Sequence, residues 1–342
     1  MLDRMFLSGD AAKPEYLAVV STGSPYVFAY PWSSSGFGAK YANPATLPTS
    51  EANKVAFSPS GNAIAVAHFG SPFVSVYPWS GSGFGTKYAN PATLPAGDCY
   101  DVAFSPNGNA IALASGSSPY VIAYPWSGSG FGTKYANPAT LPPWISDAVA
   151  FAPSSNAIAV GSRDTPYITA YPWSGSGFGT KYANPTTLPG TTAAGVAFSP
   201  AGDAVAVAHN NSPFLTVFPW SGSGFGTKYA NPSSLPSASA GNSVAFPPTG
   251  DAIAYAGANS PYVNVYAWSS SGFGSRFSNP ATLPAGAGNS VAFSSTGTAI
   301  AVAHENAPGV TAYPWSSSGF GAKYANPATL PLWGLGVAFG AA

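Results

Sequence analysis

Charge is what this 342-residue chain most lacks. Only 6% of its residues are Asp, Glu, Lys or Arg, whereas an ordinary globular domain carries about a quarter. The 11 bases balance the 11 acids, so no basic stripe exists to neutralise a phosphate backbone, and nucleic acid is not expected as a partner. A single cysteine, Cys99, leaves no mate for an intrachain disulfide and no thiolate cluster for a metal. No apolar run reaches the roughly 18 residues of a membrane-spanning helix. The opening MLDRMFLSGDAAKPEY sets acids among its bases and has no apolar stretch of signal-peptide length, so a secreted precursor is not expected. Disorder is excluded by what is plentiful, since aromatics make up 14% of the chain and disordered segments are poor in them.

The plentiful residues keep time. Trp32, Trp79, Trp126, Trp173, Trp220, Trp268 and Trp315 recur every 47 residues, with one extra residue before Trp268. The tripeptide VAF follows the same beat, starting at Val55, Val102, Val149, Val196, Val244, Val291 and Val337. Fixed periods in the forties, with short strand-like runs inside each unit, point to propeller blades, because one small sheet cannot bury both faces alone.

Residues 55–93 read as one blade. Val55–Phe57 is a short apolar strand closed by the turn formers SPSGN. AIAVAH alternates branched side chains with alanine, placing bulk on one face and methyl groups on the other. FVSVYPW is β-branched and aromatic, which suits a third strand. SGSGFG is then a hairpin loop and TKYANP the fourth strand, with Pro78 at a bulge or near the end of the third. The N-terminus supplies three strands with no VAF before them, and the C-terminus supplies GLGVAFGAA alone. The expected fold is all-β, a seven-bladed β-propeller of four-stranded antiparallel blades. It forms one domain over 1–342, with a lead-in at 1–13 and a closing strand at 334–342 that sets Val337–Phe339 against Tyr16–Ser21.

VAFSPSGNAIAVA and VAFSPAGDAVAVA resemble the first two strands of WD40 repeats, and AVAHNNSPFLTVFPW is similar to the repeats of YVTN-type propellers. PWS replaces the Trp-Asp pair, and no Gly-His pair precedes the first strand, so the hydrogen-bond network of a WD40 blade is not expected. GFGTKYANPATLP resembles repeats of proteins from tailed bacteriophages. That resemblance implies a non-enzymatic virion component, a surface or tail appendage assembled in the host cytoplasm and attached to other virion proteins or host-surface glycans. The alternatives are a multivalent carbohydrate-binding lectin, a cytoplasmic WD40-type scaffold, and an enzyme with its site on the variable face described below.

Residues repeated in every blade suit packing. One Trp per blade fills the wedge between sheets, and Phe84, Tyr88 and their copies are expected to join it. Lys40, Lys87, Lys134, Lys181, Lys228, Arg276 and Lys323 precede the fourth-strand aromatic. They either form a basic ring that grips an acidic partner or protect an edge strand against pairing.

Residues that differ between blades carry more information. The connections between blades, TSEANK, AGDCYD, PWISDA, GTTAAG, SASAGNS, AGAGNS and LWGLG, vary, as do the loops after the second strand. Both sets lie at the same end of an antiparallel blade, so the variety collects on one face of the disc, where a single ligand or partner would bind. That face holds Trp144, Trp333, Tyr100, Phe69, Arg163, Asp164, Glu51, Glu305 and the histidines His68, His209 and His304. The two tryptophans either cap the central channel or serve as exposed anchors. The histidines belong to three non-adjacent blades and are not expected to converge on a metal. No cofactor and no catalytic residue is expected: Cys99 has no histidine in its blade, and Asp98 and Asp101 are the closest acidic pair in a functional loop.

Overall fold

The computed structural model describes residues 14–237 and 240–341. The lead-in expected at 1–13 lies outside them. The strands form seven four-stranded antiparallel sheets, and no helix occurs among the described residues. Blade 2 is typical: an inner strand Ala52–Phe57, then Ala63–His68, Val74–Ser80 and an outer strand Gly83–Phe84. Blade 1 is completed by the C-terminal strand Gly334–Ala341, in which Val337 pairs with Val19 and Phe339 with Leu17. The ring therefore closes on a shared sheet, and blade 1 is left with no unpaired inner edge.

The alternation in the second strand explains why sheets can stack around an axis. Ala63, Ala65 and Ala67 of blade 2 present methyl groups to Ile111, Leu113 and Tyr124 of blade 3 in one dry layer. Ala110, Ala112 and Ala114 do the same for Ile158, Val160 and Tyr171. Small residues meeting large ones bring neighbouring sheets close without voids. At the wide end of each wedge stands the repeated Trp. Trp79 is 4% exposed and is met edge-on by Tyr41, Phe57 and Phe84.

The outer strand differs from expectation. It is the Gly–Phe pair after the two-residue turn Gly81-Ser82, and TKYANP is irregular in every blade but one. Proline is the cause. The Pro78 carbonyl accepts from Gly85 N–H at 2.8 Å, so this residue faces the outer strand, yet it has no N–H to give in return. Pairing lapses there and resumes for a single bond from Tyr88 N–H to the Val76 carbonyl, 2.9 Å. Blade 6 has Ala267 in place of proline, and its outer strand runs on over Gly272–Arg276.

Candidate functional site

Every inner strand begins with the same irregularity. In blade 2, Ala52 pairs with His68 and Lys54 with Ala67, which leaves Asn53 as a bulge. The equivalent extra residues are Tyr100, Asp147, Ala194, Asn242, Asn289 and Leu335. A bulge turns its side chain out of the alternating pattern. Here seven bulges around an axis aim seven side chains into the mouth of the central channel, where they line a cavity of about 450 Å³ together with Lys54, Arg163, Thr192 and Asn210. The same side chains, unremarkable in sequence, make one cup because the bulge is repeated.

Amides dominate the wall. Asn53, Asn242 and Asn289 each donate Nδ2–H to a carbonyl of the next blade's inner strand, those of Cys99, Gly288 and Gly334, at 3.2, 3.0 and 2.9 Å. Each amide is thereby fixed in orientation. One step deeper, a cavity of about 140 Å³ is lined by Lys54, Asp101, Ser243 and Ser290. It shares Lys54, Ala194 and Asn242 with the cup above.

Lys54 and Asp101 are the chemically distinctive groups. The Asp101 carboxylate accepts from Val102 N–H at 2.8 Å and, across the blade boundary, from Val149 N–H at 2.9 Å. Both bonds favour its charged form, as does Lys54, yet desolvation in the channel outweighs them and pushes its pKa up to about 6. Lys54 donates to the Asn289 carbonyl at 3.3 Å. Burial lowers its pKa, opposed by the charges of Asp101 and Asp147.

Arg163 forms the other wall. Its Nε lies 3.0 and 2.9 Å from the two Asp147 oxygens and its Nη2 2.8 Å from Oδ1. Those hydrogen bonds raise its pKa. The guanidinium also lies over the Tyr100 ring at 4.9 Å, and Tyr100 meets Phe69 edge-on at 5.3 Å. The Arg163–Asp147 pair is the one salt bridge among the described residues.

Of the residues expected on the variable face, the structure thus brings Tyr100 and Arg163 into the cup, with Phe69 behind them. Asp164 is exposed, and its carboxylate accepts from Thr165 N–H. Trp144 and Trp333 stand on loops at 50% and 43% exposure and line neither channel cavity. The histidines require correction as binding residues, because His68, His209 and His304 are fully buried. Their Nε2 atoms bond Ser75, Thr216 and Thr311 on the adjacent strand, so they tie strands together inside the blades. The repeated bases are held within their own blades: Lys40, Lys87, Lys134, Lys181, Lys228, Arg276 and Lys323 each donate to the Asn three residues on. Asp98 and Asp101 do not act as a pair, since Asp98 accepts from Gly70 N–H while Asp101 bonds Val102 and Val149.

Sequence reasoning missed Asn53, Lys54, Asp147, Asn242 and Asn289, and weighed Asp101 only beside Asp98. Their signal was present in the two positions ahead of VAF, which read NK, YD, DA, AG, NS, NS and LG. In sequence these pairs read as part of the connecting segments, whereas they are the second and third residues of the inner strands.

No protein-family model matches the chain, and no curated protein matches it. Solved structures share its fold. A periplasmic gluconolactonase of Pseudomonas aeruginosa superposes with a TM-score of 0.72 at 14% identity, covering 97% of this chain and 99% of that one. A candidate 6-phosphogluconolactonase of Bacteroides uniformis gives 0.74 at 12% identity, covering 96% and 99%. A protein of unknown function from Desulfotomaculum acetoxidans gives 0.72 at 12% identity, covering 95% and 99%. At these identities the likeness establishes a common seven-bladed architecture. It also corrects the expectation of a non-enzymatic phage component. Two of these structural neighbours bear the names of lactonases.

Proposed function

We propose that the chain is a hydrolase that opens a small polyhydroxylated cyclic ester, of the sugar-lactone class, in the channel cup. The observation that carries this reading is the Lys54 and Asp101 pair recessed beneath an amide-lined wall, with the Asp101 carboxyl poised near neutrality. Fixed amides of Asn53, Asn242 and Asn289 suit the hydroxyl groups of a sugar ring, each of which both donates and accepts. The lactonase names of two propellers with the same architecture support the reaction class.

In this reaction Asp101 removes a proton from a water molecule while the water oxygen bonds to the ester carbonyl carbon. The Lys54 ammonium stabilises the negative charge that develops on the carbonyl oxygen. The ring C–O bond then breaks, the departing alkoxide takes the proton from Asp101, and the product is the open hydroxy acid. A carboxyl with a pKa of about 6 suits this work, because it is largely ionised at neutral pH and still basic enough to accept a proton.

Proton release from glucono-1,5-lactone, measured above the spontaneous rate, tests the reading. We expect hydrolysis by the native chain and a loss of about 10²–10⁴-fold in Asp101→Asn, the usual contribution of a general base. Hydrolysis unchanged in Asp101→Asn and Lys54→Met, or absent from the native chain, overturns it.

A further inference from the structure

The charges of the cup cancel. Lys54 and Arg163 supply two positive groups, and Asp101 and Asp147 two carboxylates. The cancellation is not diffuse, because Asp147 occupies Nε and one terminal nitrogen of Arg163. These form one of the two parallel donor pairs with which an arginine grips a phosphate bidentately. Tyr100 lies against the face of the same guanidinium and holds it in that orientation. Outside the cup the loops of this face add Glu51, Asp98, Asp164 and Glu305.

We infer that the cup selects an uncharged ligand over its phosphorylated counterpart, and that Asp147 is the residue that sets this choice. The inference rests on the lactonase reading for the kind of ring bound, and it deepens that reading by specifying the charge. A phosphate brought to this mouth meets an Arg163 whose Nε–Nη2 side is already taken by Asp147 and a Lys54 whose charge is balanced by Asp101. In a cup whose charges already cancel, its desolvation is only partly compensated, which is how a site disfavours a charged competitor. An uncharged polyol meets fixed amides and loses nothing. Asp147 acts by occupying Arg163 and need not touch the ligand.

The test is calorimetric binding of the lactam analogue of glucono-1,5-lactone and of its 6-phosphate, neither of which the enzyme can open. The native chain is expected to bind the neutral lactam at least about tenfold more tightly, the scale of one uncompensated charge contact. Asp147→Asn releases the Arg163 fork and is expected to move the ratio about tenfold or more toward the phosphate. The double variant Asp147→Asn with Arg163→Gln is expected to undo that move. Arg163→Gln alone leaves Asp147 unpaired and is expected to push the ratio further toward the neutral lactam, which provides a test that does not depend on Asp147→Asn folding. Equal or tighter binding of the phosphate by the native chain, a ratio unmoved in both single variants, or no binding of either lactam overturns the inference. Selective binding of the neutral lactam by a chain that fails to hydrolyse the lactone supports this selectivity and removes the hydrolase reading.

Discussion

Tyr324 of the last blade lies edge-on to Trp32 of the first, with ring centroids 5.1 Å apart and planes at 83°. Tyr41 holds the same relation to Trp79, Tyr88 to Trp126 and Tyr135 to Trp173. The contact that joins consecutive blades is thus also the contact that joins the two ends of the ring. Phe277 makes it with Trp315 at the same 5.1 Å, so the ring edge matters there and the hydroxyl does not.

A tryptophan held in this way is expensive to remove. Trp126 is 5% exposed and packs against Tyr88, Phe104 and Phe131. Trp126→Ala is expected to destabilise the chain by about 3–5 kcal/mol, the usual range for truncating a buried large aromatic. Tyr324→Phe is expected to fall within about 0.5 kcal/mol of the native chain, as substitutions that break no packing do. Denaturant melts of the two variants check both, and similar losses would show that the hydroxyl carries the contact.

Ring closure has its own test. Gly334–Ala341 contributes the whole inner strand of blade 1, and its bulge places Leu335 in the cup. A chain ending at Trp333 would expose the edge of Glu15–Ser21, which is a template for pairing with another copy. Light scattering is expected to show association, and adding a peptide of residues 334–342 in trans is expected to reduce it. A monomeric truncated chain with an unchanged melting temperature would show that closure contributes nothing.

The seven blades and the direction of closure were legible in sequence because they depend on period and alternation, which packing imposes on every copy. Two features were not. The outer strand depends on which backbone face a proline presents, and only the contrast of Pro78 with Ala267 reveals it, through the longer strand at Gly272–Arg276. The cup depends on a bulge, which shifts the inward-facing residue by one place without changing hydrophobicity. Tyr100 and Arg163 were found because they differ from their counterparts. Lys54 and Asp147 were not, because nothing in a linear pattern shows that the first residues of seven inner strands converge.

The buried histidines make stability depend on pH. Burial lowers the pKa of His68 and His304, and that of His209 to about 4. A histidine whose folded pKa lies below its unfolded value stabilises the fold above the unfolded value, near 6.5, and that contribution is lost as pH falls toward the folded value. For His209 the loss is on the order of 3 kcal/mol between pH 6.5 and 4. Asp101 works in the opposite sense, because its raised pKa favours the folded state at low pH. The difference between His209→Gln and the native chain therefore isolates the histidine. That difference is expected to shrink as pH falls through this window, and a constant difference in melting free energy would sink the assignment.

Asp101 offers the sharpest link between structure and chemistry, because two forces on its carboxyl are separable. Desolvation raises its pKa to about 6, and Lys54 holds it below where burial alone would put it. If the carboxylate is the base, kcat/KM for the lactone rises with pH through an apparent value near 6 and then levels. Lys54→Met removes the opposing charge, so the carboxyl must become harder to ionise and the rising limb must move to higher pH. The same variant lowers the plateau by removing the oxyanion partner, but a plateau change alone cannot move the limb. Carbon-13 titration of the Asp101 carboxyl in both proteins gives the shift independently of turnover. A carboxyl that titrates at the same pH in both would show that the two groups do not interact. A displaced titration with an undisplaced rate limb would assign the base to another residue.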